Sequence, residues 1–106
     1  MFGIFKPPHM LLRRRVPKDA LGACLNVERY AEAQLHELTE GQRTHALAFI
    51  LSVWARENRG SGASQLSIFF FRRIVKAGER SAKLLSPFAR QRAYTVLEEL
   101  RNKGLI

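Results

Sequence analysis

The sequence predicts an all-α protein, a small single-domain bundle of about five helices. Three observations carry that prediction. Apolar residues recur at three- and four-residue spacing through most of the 106 residues. Strand-like alternation is almost absent, and the Pro, Gly and Ser clusters fall at a few breaks between the periodic stretches. The composition, 46% hydrophobic and 25% charged, is that of a folded chain, long enough for one core.

Residues 1–17 carry Pro7, Pro8 and Pro17 and read as a basic extended arm; residues 18–106 read as one helical domain. From Lys18 to Leu38 the residues Leu21, Leu25, Ala31, Leu35 and Leu38 predict a first helix, with Cys24 flanking the stripe and Asp19 as its N-cap. Gly22 weakens its first turns, and Asn26 offers a second start. Thr39-Glu40-Gly41-Gln42 is a capping box. Its hydroxyl is expected to accept from the third helical N–H while the Gln42 side chain reaches back. The helix it opens runs to about Asn58 and is apolar on nearly every side, so it and Trp54 belong at the centre of the core.

Arg59 to Ser64 is a flexible break. Leu66, Phe70 and Ile74 mark a third helix, which Gly78 is expected to end. A short helix from about Glu79 to Leu85 follows. Ser86-Pro87 then opens the last helix, with Ser as N-cap and Pro at the first helical position, where its missing N–H costs nothing. Ala93, Val96, Leu97 and Leu100 form its inward stripe. Gly104 is placed to take a left-handed conformation and fold Leu105 back onto Leu100.

Charge separates the chain into three parts. Residues 1–18 hold five basic residues and no acid, 19–58 hold three basic against six acidic, and 59–106 hold ten basic against three acidic. The net charge of +9 makes nucleic acid or an acidic surface the first partner class. A single cysteine, Cys24, rules out an internal disulfide or a cysteine-based zinc cluster. No run is long and apolar enough to cross a bilayer, and Lys6, Pro7 and Pro8 interrupt the apolar Met1–Phe5 before it resembles a secretory signal. The expected location is cytoplasmic.

Catalytic groupings are missing from the pattern. His36 and His45 are nine residues apart, off metal-ligand spacing, and His9 lies in the arm. Glu28 and Glu32 are an i,i+4 pair on what reads as a solvated face. Gly60-Ser61-Gly62 lacks the Lys-Ser/Thr of a phosphate loop. The expectation is no enzyme, no metal and no cofactor.

The strongest constellation is C-terminal. Ala93 to Ile106, an amphipathic helix closing in Gly104-Leu105-Ile106, resembles the recognition-helix segment of bacterial winged helix-turn-helix DNA-binding regulators. Ala82 and Leu85 resemble the inward residues of the helix before it, and Phe88 the apolar residue after the turn. The resemblance covers residues 72–106. No β-hairpin wing follows within these residues, and the turn carries Ser86-Pro87 where that family prefers a small residue or glycine. It implies that the last helix enters a major groove.

The residues themselves suit that role. Arg90 and Arg92 lie in the first turns of the last helix with Gln91 between them, and Tyr94 and Thr95 follow one turn on; such side chains neutralise phosphates or reach base edges. Arg80 and Lys83 are placed to cross a backbone, and Arg13-Arg14-Arg15 to lie in a minor groove or on phosphates. Two functions follow. One is a small non-enzymatic binder of duplex DNA, a bacterial transcriptional regulator, with RNA as a variant. The other is a helical adaptor that uses Met1–Phe5, Phe69-Phe70-Phe71 and basic surfaces to bind a protein partner or an anionic membrane surface; a homodimer is compatible with either.

Overall fold

Four helices account for nearly all the described residues, and no strand occurs among them. The structure, a computed structural model, describes residues 21–57 and 65–106, with side chains for 22–57 and 72–106. The helices are α1 (Leu21–Gln34), α2 (Glu40–Glu57), α3 (Gln65–Lys83) and α4 (Pro87–Asn102). The Arg59–Ser64 break, the Asp19 cap and the arm lie outside the described residues.

α2 is the axis of the fold. Its apolar residues on nearly every side need partners all round, and α1, α3 and α4 each pack against it. Trp54 is 1% exposed, and Leu47, Ile50 and Leu51 are buried beside it. From α1 come Cys24, Val27, Ala31 and Leu35; from α4 come Ala89, Ala93, Val96, Leu97 and Leu100. Cys24 therefore lies within the inward stripe of α1 and not beside it, and Leu25 is only half-buried. Glu28 also departs from expectation. It follows Cys24 by four residues and precedes Ala31 by three, so it falls on the inward seam and is buried, while Glu32 is exposed.

The helix directions follow from side-chain pairs. Gln42 meets Ser86, Phe49 meets Tyr94 and Glu57 meets Arg101, so α4 runs in the same sense as α2. Tyr30 meets Glu99 and Gln34 meets Arg92, so α1 runs opposite to α4. α3 lies antiparallel along α2 and, although next in sequence to α4, hardly touches it beyond their junction.

α3 also corrects the expected count of five. Gly78 does not end a helix, and no separate helix spans 79–85. Gly78 sits in mid-helix where α3 crosses α2, and a Cβ there would overlap the Ser52 side chain and come within 3.1 Å of the Ala48 carbonyl oxygen. The missing side chain serves close approach, not termination. Ser81 continues the seam, its hydroxyl 3.3 Å from His45 Nδ1.

The local signals at the ends of α4 hold. The Ser86 hydroxyl accepts from the Ala89 N–H at 3.1 Å, with Pro87 at the first helical position. Gly104 has φ +74°, the Leu105 N–H donates to the Leu100 carbonyl at 2.9 Å, and the Gly104 N–H to the Arg101 carbonyl at 3.1 Å, which is a Schellman closure. The cap of α2 holds in part. Thr39 Oγ1 accepts from the Gln42 N–H at 3.3 Å. The Gln42 side chain does not reach back. Its amide crosses to the α3–α4 turn, donating to the Leu84 carbonyl at 3.1 Å and accepting from the Ser86 N–H at 2.8 Å.

Candidate nucleic-acid interface

The outward side of α3 is built by helical spacing alone. Arg72, Lys76 and Arg80 recur every four residues, and Lys83 follows three later, so all four share one face. Arg72, Lys76, Arg80 and Lys83 are all exposed, and among the described residues none of the four makes an ion pair. Four residues of helix advance about 6 Å, so the row is a track of positive charge roughly 16 Å long. Between residues 72 and 97 the sequence holds seven basic residues against one acid, Glu79, whose Oε2 lies 3.9 Å from Arg56 on α2. Arg80 and Lys83 also occupy the last turn of α3, where cations favour the negative end of the helix dipole.

Arg90 carries the track across the junction. It is exposed, and one guanidinium nitrogen donates to the Ala82 carbonyl at 3.0 Å, closing off a carbonyl of the last turn of α3. The bond holds its guanidinium at the last turn of α3, the turn that also carries Arg80 and Lys83. The turn Leu84–Ser86 is three residues long and is clamped by Gln42, so the start of α4 is fixed against the end of α3. Three residues is the turn length of a helix-turn-helix, but the helix before it has 19 residues.

Of the expected α4 residues, Gln91, Tyr94 and Thr95 are exposed with Arg90. The Thr95 hydroxyl donates to the Gln91 carbonyl at 3.1 Å, which leaves its lone pairs outward. Tyr94 is 55% exposed and meets Phe49 edge-on, with centroids 5.7 Å apart. Arg92 does not join this face. Its Nε stands 2.9 Å from Glu37 Oε1 without hydrogen-bond alignment, and one terminal nitrogen donates to the Gln34 carbonyl at 3.4 Å. It ties α4 to the end of α1. Arg13, Arg14 and Arg15 lie outside the described residues, as do the side chains of Phe69, Phe70 and Phe71.

Arg72 and Lys76 were missed as site residues. Their four-residue register with Arg80 is visible in the sequence, but an expected helix end at Gly78 splits the row. The site so defined is a cationic face of a small helical protein, with phosphate as its complementary chemistry. Compared with known protein families, characterised proteins and solved structures, the chain matches none.

Proposed function

We propose that the protein is a non-enzymatic nucleic-acid-binding protein with duplex DNA as its partner and a regulatory role. The observation that carries this reading is the outward row Arg72, Lys76, Arg80 and Lys83, which Arg90 continues onto α4. On this reading the row lies along a phosphate backbone and supplies affinity, while Gln91 and Thr95 present neutral donors and acceptors to base edges. Arg92 holds the helix in place and touches no DNA. The Arg13–Arg15 arm adds charge that a minor groove or a second strand can take.

The test separates these roles. Gln91→Ala with Thr95→Ala should narrow the affinity difference between preferred and scrambled duplexes by about 1–3 kcal/mol per lost contact, with little change in binding to scrambled duplex. Arg92→Ala should lower the melting temperature and leave the affinity of the folded protein unchanged. Fluorescence anisotropy with labelled duplexes reads the first and thermal melting the second. A wild-type protein that binds no duplex at physiological salt would sink the reading.

A further inference from the structure

The corner between α3 and α4 is apolar at its tip and cationic around it. Leu84 is 59% exposed and Phe88 57%, the two most exposed large apolar side chains among the described residues; Tyr94, next at 55%, has Phe49 against it. They lie four residues apart across a turn whose backbone is fixed. Ser86 caps α4, Gln42 grips both Leu84 and Ser86, and Arg90 reaches back to Ala82. Pro87, between them, is also exposed. The turn is therefore held in place, and the exposure of Leu84 and Phe88 is not the result of a loose turn. Arg80, Lys83 and Arg90 are exposed around it, and α4 has no acid in its first turn.

We propose that this corner docks on an anionic lipid bilayer surface, with Leu84 and Phe88 inserted below the headgroups and Arg80, Lys83 and Arg90 on the lipid phosphates. Charge complementarity selects the occupant. An exposed apolar pair on a turn whose neighbouring residues are exposed cations matches a surface whose outer layer is anionic and whose next layer is hydrocarbon. A phosphate backbone satisfies the cations but leaves Leu84 and Phe88 in water. The attachment is peripheral, since no helix among the described residues is long and apolar enough to cross a membrane. The proposal does not depend on the nucleic-acid reading. The two partners share cations, so they would compete.

Co-sedimentation with vesicles of neutral lipid, and of neutral lipid containing a third of phosphatidylserine, tests it with the full chain. The wild type should bind the anionic vesicles and not the neutral ones. Leu84→Ser with Phe88→Ser should weaken that binding by about tenfold or more, since two apolar side chains no longer leave water, and should leave duplex DNA affinity unchanged. Both positions are solvent-facing, and circular dichroism checks that the fold persists. Phe88→Trp gives a direct readout: the emission of the introduced indole should be quenched by brominated lipid in anionic vesicles, while that of buried Trp54 is not. Three results would overturn the proposal: equal binding to both vesicle types, unchanged binding by the double variant, or emission from the Phe88→Trp protein that is indifferent to brominated lipid. Loss of DNA affinity in the double variant with vesicle binding intact would also overturn it, and would place the corner on DNA as a wedge between base steps.

Discussion

At the scale of single residues, Gly78 shows how one residue type serves two ends. A glycine after an apolar periodic run signals a helix stop, and the same glycine in mid-helix signals close approach by a neighbour. Sequence spacing does not distinguish them, because the deciding partner, Ser52, lies on another helix. Gly78→Ala should destabilise the protein by about 1–3 kcal/mol through overpacking, despite the roughly 1 kcal/mol that alanine gains in helix propensity. Gly22→Ala, which meets open space in α1, should be neutral or slightly stabilising. Chemical denaturation of the two variants gives the comparison, and equal effects would contradict the crossing. Tyr30 makes a second residue-scale prediction. Its hydroxyl donates to Glu99 Oε1 at 2.8 Å, and this bond, with burial and the carboxylate charge after it, raises its pKa above 10.0. A raised pKa favours the protonated, folded form. The resulting stability is fully present below the unfolded value near 10 and is lost as pH rises through the folded pKa. Tyr30→Phe should abolish that alkaline loss in melting temperature against pH; an identical profile would contradict the bond.

Among the elements, the ends were more legible than the contacts. Ser86-Pro87 and Gly104 act within one helical turn, so their chemistry is complete in the local sequence and both closures form as expected. The apolar run around Trp54 was equally legible, because a helix with no polar side has only the interior to occupy. Gln42 and Arg92 were not. Each has a plausible local role, a reciprocal cap for one and a groove contact for the other. Each is instead drawn to polar groups brought close by tertiary packing: the α3–α4 turn lies 42 residues from Gln42, and Gln34 lies 58 from Arg92. Glu28 belongs with them, since its pairing with Glu32 suggested solvent while its register with Cys24 and Ala31 put it inside. The Gln42 clamp makes the α3–α4 turn depend on α2. Gln42→Ala removes both bonds and should cost about 1–2 kcal/mol. It should also speed amide exchange at Ser86, whose N–H loses its acceptor; unchanged protection there would show that the turn holds itself.

Across the whole molecule, α2 satisfies its apolar sides with α1 and α4 on one part of its surface and α3 on another. The outward side of α3 is thereby left to carry charge. The all-helical class was legible from periodicity, and the excess of positive charge from composition. Their combination into one continuous cationic row was not, because it required α3 to be unbroken through Gly78. We propose that this row lies on nucleic-acid phosphates, and the salt dependence of duplex binding reads that contact. Each phosphate neutralised by a cation contributes about 0.9 to the slope of log affinity against log salt. Replacing Arg72, Lys76, Arg80 and Lys83 with Ala should reduce that slope by roughly three to four, with the fold retained because none of the four is buried. A slope equal to that of the wild type, at whatever affinity, would show that the row does not touch the phosphates.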